Sequence, residues 1–279
     1  MKKEYNSLKY NYIDPSGNIT ILVESEIATT SQSAVSRKLM EYEPSCEQVG
    51  FIRKGKDRIR LRMAGGEFCG NAVMSAAALL CDDTGMKTGD KQRVTVDFSG
   101  TDDPAMVDIT RNQDNEDRHY YTATLDMPIP RRIINKTLSW KGVDYDLPAV
   151  EFEGISHMIC LPGVMDLPDE EIEAALRSWI NSFNTECIGI MLIRSEDPMN
   201  AEQKEGTDIS VVMRPLVYVP AVDTCVWESA CASGTAAAAA YYSHRKGSKP
   251  VSLTAKEPGG VLGVSVSDGH LYLEGNVII

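Results

Sequence analysis

The chain has 279 residues, 43% of them hydrophobic, with 28 basic against 40 acidic side chains, a net charge of -12 and a pI near 4.9. That length supports a substantial core and favours two domains over one. So acidic a surface argues against nucleic acid and anionic membranes as partners, which leaves a small molecule.

The first residues, MKKEYNSLKYNYIDPSGN, carry tyrosines, asparagines and charges where a signal peptide has an apolar stretch, and no later run approaches 18 apolar residues. A soluble, cytoplasmic protein is expected. Short runs of β type follow at 19–23, 58–62, 94–98, 120–125, 158–161, 188–193, 209–213, 251–253 and 271–273, separated by glycine, proline and acidic clusters. Helices are fewer and are expected at 34–42, 71–80, 169–184 and 235–242. The polar stretch TRNQDNEDR at 110–118 reads as an exposed hairpin loop, and the prolines at 128 and 130 mark a boundary. Many strands with few helices indicate an α+β fold, with domains at 1–128 and 129–274 and the tail 275–279 as a candidate to rejoin the first.

Seven cysteines (Cys46, Cys69, Cys81, Cys160, Cys187, Cys225, Cys231) form an odd, scattered set without CxxC spacing, so they read as reduced thiols, with no metal site implied. Two of them stand out. CGNAVMSAAALL from Cys69 and CASGTAAAAAYY from Cys231 share one pattern: a cysteine, a small residue, a short polar residue (Asn71, Ser233) and an alanine-rich helix. An acid precedes each, Glu67 or Glu228, and the thiols lie 162 positions apart, as a duplicated two-domain chain would place them. A cysteine at a helix mouth meets unpaired N–H groups that stabilise a thiolate.

If the halves face one another, two thiols approach one substrate from opposite sides. Inverting a carbon that bears a hydrogen needs a base on one face and an acid on the other, and a thiolate and a thiol exchange those roles in either direction. Helix-mouth N–H groups stabilise the charge that develops on the substrate carboxylate. The scheme needs no metal and no pyridoxal cofactor.

These motifs resemble the cofactor-independent racemases and epimerases of the diaminopimelate epimerase fold over nearly the whole chain. The segments 15–18 (PSGN), 46–52 (CEQVGFI), 67–72 (EFCGNA), 227–235 (WESACASGT) and 258–260 (PGG) carry the likeness. Within that fold the pattern is most similar to the histidine racemases of staphylopine-type metallophore biosynthesis. The resemblance implies two pseudo-symmetric domains, each a mixed or antiparallel barrel-like sheet around a central helix, catalysis by Cys69 and Cys231, and conversion of L- to D-histidine for an opine-type chelator. Substrate contacts are expected from Asn18, Glu47, Gln48, Phe68, His157 and Glu228, with Gly70, Asn71, Ala232, Ser233 and Gly234 cradling the α-carboxylate. Where diaminopimelate epimerase holds a second charged end with asparagines and an arginine, this chain has Met63, Ile155-Ser156-His157 and no arginine after Glu228. Sites built without those donors release the charged group, and Met63, Phe68 and His157 suit a flat imidazole better.

Plainer readings stand beside these. Helix capping uses the same N–H groups, Pro-Ser-Gly-Asn is ordinary turn chemistry, and His157 beside Met158 and Ile159 is a common core arrangement. Other functions remain open: another epimerase of the same fold, a cysteine hydrolase with Cys231 as nucleophile and His157 as base, or a non-catalytic amino acid binder. A homodimer is also left open.

Overall fold

The computed structural model describes residues 2–5, 7–56, 58–99, 103–114, 118–195 and 208–279. The chain is mixed α+β and forms two compact units, Met1–Asp126 with Glu274–Ile279, and Met127–Leu273.

The first unit runs β1 (Lys2–Tyr5), β2 (Leu8–Pro15), β3 (Thr20–Val23), α1 (Thr29–Tyr42), β4 (Gln48–Lys54), β5 (Arg58–Met63), α2 (Gly70–Asp83), β6 (Lys91–Phe98), β7 (Ala105–Arg111) and β8 (Tyr120–Met127). Strands β2 to β8 pair in sequence order, antiparallel except for β3 with β4 and β5 with β6. Parallel neighbours need crossovers, and α1 and α2 supply them. The ring closes through the end of the last strand: Val277 pairs with Pro15, and Ile279 and His119 exchange backbone hydrogen bonds of 2.9 and 3.1 Å. Eight strands therefore encircle α2.

The sequence explains why α2 is the helix inside. Every residue from Gly70 to Cys81 is buried, so no face needs to be polar, and its small side chains let the strands approach closely. Helix α1 buries only Gln32, Ser36 and Leu39, packing outside against a cluster that includes Tyr10, Ile21, Val49 and Phe51.

The second unit comprises β9 (Arg132–Trp140), β10 (Val143–Glu151), β11 (Ile155–Cys160), α3 (Asp169–Trp179), β12 (Cys187–Ser195), β13 (Asp208–Val219), β14 (Thr224–Trp227), α4 (Ala232–Arg245), β15 (Val251–Glu257), β16 (Gly260–Ser267) and the first residues of β17 (His270–Ile278). Its pairing repeats that of the first: β10 antiparallel to β11, β11 parallel to β12, β12 antiparallel to β13, β13 parallel to β15, β15 antiparallel to β16. Helix α3 lies outside, with Ile172, Ala175, Leu176 and Trp179 on the core. Helix α4 is buried from Ala232 to Tyr241 and packs on strands β10, β11, β12, β15 and β16. The duplication visible at the two cysteines is a duplication of topology.

Some elements differ from the sequence expectation. Helix α1 begins at Thr29 rather than 34, because its first turn is polar and the sequence gives it no apolar periodicity. Helix α3 stops at Trp179 and tightens into a 3-10 turn, Ile180–Ser182, rather than running to 184. The β9–β10 hairpin was not anticipated; its turn is Lys141-Gly142, both at positive φ (49° and 80°), a two-residue geometry suited to the strand twist. Within the stretch expected as a loop, Arg111 is still strand and is buried, donating to Met86 O at 2.7 Å, while 115–117 fall outside the described residues. Among the described residues no helix is long and apolar enough to cross a membrane.

Because Met74 lies fully buried on α2, Met74→Ala should cost about 2–5 kcal/mol of stability. Urea unfolding measures this, and a loss below about 1 kcal/mol would contradict a packed ring interior.

Candidate active site

Cys69 is the N-cap of α2, with extended backbone (φ -138°, ψ 107°), and its sulfur accepts the Ala72 N–H at 3.4 Å. The thiol is half-buried and donates to Gln48 Oε1 at 2.8 Å. Gln48 is held from behind. Parallel pairing sets Thr20 opposite Gln48, and Gln48 Nε2 donates to Thr20 Oγ1 at 2.7 Å and to Asn18 Oδ1. Asn18 is fully buried after the turn at Ser16-Gly17 (φ 54° and 89°), and its Nδ2 donates to Glu47 Oε2 at 2.8 Å.

This chain of bonds has a direction. A carboxylate only accepts, so Asn18 must turn its NH2 to Glu47 and its oxygen to Gln48. Gln48 must then answer with its own NH2, which leaves Oε1 for the sulfur. The arrangement presents an acceptor to Cys69 and favours its S–H form. Phe68, 4% exposed, is turned onto Phe98 with ring centroids 5.0 Å apart. Met63 is buried, its N–H donating to Ser99 Oγ at 2.9 Å, and the Ser99 hydroxyl reaches Glu67 O at 3.0 Å. Gly70 and Asn71 form the buried first turn of α2.

In the second unit Cys231 occupies the same position, N-cap of α4 with φ -123° and ψ 101°, but is nearly sealed at 3% exposure. Ala232, Ser233 and Gly234 form the buried first turn. Ser233 Oγ lies 3.7 Å from the sulfur and 2.8 Å from His157 Nε2. His157 is fully buried on β11 and pairs with Gly189 of β12, where an added Cβ would fall 2.6 Å from Nδ1. Nδ1 has no partner, so a proton there would point at backbone with nothing to accept it. The proton therefore belongs on Nε2, is donated to Ser233, and leaves the serine hydroxyl free to turn toward Cys231. Gly234 makes room for its neighbours: a Cβ there would sit 2.1 Å from Met191 Sδ and 3.1 Å from Cys231 Sγ, so the Met191 side chain would have to move.

The electrostatics of Cys231 depart from the simple helix-mouth expectation. Burial, then the carboxylates of Glu228 and Glu257 and a hydrogen bond with Glu228, push its thiol well above the ordinary range, against the smaller pull of the Gly234 N–H. A helix mouth stabilises a thiolate only where water or net positive charge does not have to be given up. Cys46 and Cys81, pushed up to about 12, and Cys160 and Cys225, to about 11, are raised chiefly by burial and are inert thiols. Among the described residues no group of three or more His, Cys, Asp or Glu side chains could hold a metal ion.

Asn18, Glu47, Gln48 and Cys69 thus come together in the first unit, and His157, Glu228, Cys231 and Ser233 in the second. Thr20, Gly189, Thr235 and Glu257 were not anticipated. Glu257 precedes Pro-Gly-Gly, which reads only as a turn, and nothing in the sequence ties it to a cysteine 26 positions earlier.

Burial pushes His157 down to about 3, from an ordinary 6.5. Between those values the unfolded chain binds a proton that the folded protein does not, so stability rises with pH by about 1.4 kcal/mol per unit. Urea titrations at pH 5 and pH 7 should show the native protein losing about 2 kcal/mol more on acidification than His157→Gln does. Equal losses would contradict a buried neutral imidazole.

The family model described as the histidine racemase CntK N-terminal domain matches residues 7–278. The chain is 29% identical to the histidine racemase of Staphylococcus aureus, over 94% of this chain and 90% of that protein. It is 30% identical to a histidine racemase of Fusobacterium nucleatum, over 100% of this chain and 96% of that one. Among solved structures it is similar to one described as a predicted epimerase from Pseudomonas aeruginosa, at a TM-score of 0.58 and 14% identity, covering 96% of this chain and 95% of the other, which supports the diaminopimelate epimerase-like fold. With a family model spanning both units and relatives matched along their length, the chain belongs to the histidine racemase family, and with it to the isomerases.

Proposed function

We propose that this chain interconverts L- and D-histidine by a two-base mechanism in which Cys69 and Cys231 are the acid and the base, with no cofactor in the chemistry. The observation that carries the reading is the equivalent placement of the two cysteines, each the N-cap of the buried helix of its unit. The family relatives named histidine racemase support the substrate.

In this mechanism a thiolate removes the α-hydrogen as a proton while the opposite thiol delivers one to the other face, and the pair is left with its roles exchanged. The negative charge that passes through the α-carbon spreads into the substrate carboxylate. Backbone N–H groups of Gly70 and Asn71, or of Ala232 and Ser233, are the donors suited to hold it, each worth about 3 kcal/mol when fixed in place and dry. Glu47 and Glu228 offer the α-ammonium a carboxylate. The imidazole of the substrate takes no part in the proton transfer.

Reaction in D2O should place solvent deuterium at the α-carbon of the product enantiomer. A cysteine hydrolase would leave that hydrogen in place. Polarimetry with the proteinogenic amino acids and diaminopimelate, without added cofactor, should single out histidine, and activity on diaminopimelate instead would overturn the substrate assignment. Cys69→Ser and Cys231→Ser should each lose about 10²–10⁴-fold in racemisation, since a hydroxyl is a far weaker base near neutral pH.

A further inference from the structure

Glu257 has no assigned role, yet its carboxylate is bonded directly to the backbone of Cys231. It ends β15 and is 8% exposed. One carboxylate oxygen accepts the backbone N–H of Cys231 at 2.6 Å and the other accepts the Thr235 hydroxyl at 2.6 Å. Thr235 also lies 2.8 Å from the Cys231 carbonyl, so the carboxylate clamps the N-cap and the first turn of α4 together.

The described end of the counterpart strand in the first unit, Phe98, carries no carboxylate. Strand β6 is the counterpart of β15 in the repeated topology, and it ends at Phe98 followed by Ser99, both uncharged. The neutral Ser99 hydroxyl meets Met63 N–H and Glu67 O there. At this strand end the second unit has a carboxylate where the first has a hydroxyl.

We propose that Glu257 is a positioning residue that holds Cys231 in its thiol form, as proton donor, by taking the Cys231 backbone N–H for itself and fixing a negative charge behind the mouth of α4. This rests on the two-thiol reading above. The N–H at the cysteine is consumed by a protein carboxylate and cannot serve a substrate oxygen, so the substrate is left the N–H groups of the following residues.

Within the second unit the groups around Cys231 are few. Glu228, on the preceding segment, hydrogen-bonds the thiol and carries the nearer charge, and Glu257 adds a second one behind the backbone. His157 on β11 reaches the sulfur only through Ser233 and is held neutral by burial. Met191 and Gly189 on β12 are uncharged. Losing the charge of Glu257 should therefore make Cys231 easier to ionise.

Glu257→Gln keeps the shape of the clamp: the amide oxygen accepts Cys231 N–H, and the amide NH2 donates to Thr235 Oγ, whose own hydrogen turns to the Cys231 carbonyl. The experiment is the pH dependence of iodoacetamide alkylation of the full chain, read at each cysteine by peptide fragmentation, with circular dichroism to confirm the fold. The Cys231 midpoint should fall by about one pH unit in Glu257→Gln, a tenfold gain in thiolate at a given pH, while the Cys69 midpoint stays put. An unmoved Cys231 midpoint in a folded variant overturns the proposal and leaves Glu257 a merely structural clamp. If the variant does not fold, the native protein decides: a Cys231 midpoint at or below the ordinary thiol value near 8.5 overturns it, and a midpoint above supports it. Failure of the two-thiol reading is seen separately, as full racemisation by Cys231→Ser, and does not alter the midpoint measurement.

Discussion

A helix enclosed by strands on every side has nowhere to hide its unpaired N-terminal N–H groups except in the residue that caps it. Helix α2 meets that constraint with Cys69, whose sulfur is a soft, weak acceptor compared with the serine or aspartate usual at such positions. Alanine and glycine then follow because the surrounding strands leave room for little else, and the strand order follows because a helix threaded through a sheet must be the crossover of a parallel pair. Capping, small residues and topology are one requirement seen at three scales. The site is built on that requirement, because a cap that satisfies the helix only weakly keeps its sulfur available for chemistry.

The two caps are maintained in opposite ways. Cys69 is addressed by a neutral amide whose orientation is fixed, through Asn18, by a carboxylate two steps away. Cys231 is surrounded by burial and by carboxylates close at hand. Duplicated backbones thus need not carry duplicated electrostatics. A reaction that runs in both directions asks each sulfur to be base in one and acid in the other, and here the S–H form is favoured at each by different means.

Much of this was legible in the sequence because the signal lay in local chemistry. The helix starts at Cys69 and Cys231 were readable from a thiol, a small residue and an alanine run, and the repeat in topology from the same pair of strings. Strands β2, β9 and β10 were not identified, although Val143-Asp144-Tyr145-Asp146-Leu147 alternates apolar with polar residues as a half-buried strand does. The partners of the cysteines were legible in part. Gln48 and Asn18 sit in conspicuous polar segments, whereas Glu257 reaches Cys231 only through the pairing of β15 beside β13, a contact no local pattern encodes. Gly189 looks like any glycine until β11 and β12 are laid side by side and His157 claims its space.

The shared last strand ties the completion of one unit to the synthesis of the other. Residues 274–279 close the ring of the first unit, so a nascent chain that has emerged only as far as Asp126 exposes an open seam between β2 and β8. That edge stays unsatisfied until the ribosome has delivered everything in between. Folding order in the cell is therefore not free to follow the order of the code: the half made first must wait, with its sheet edge unguarded, for the half made last.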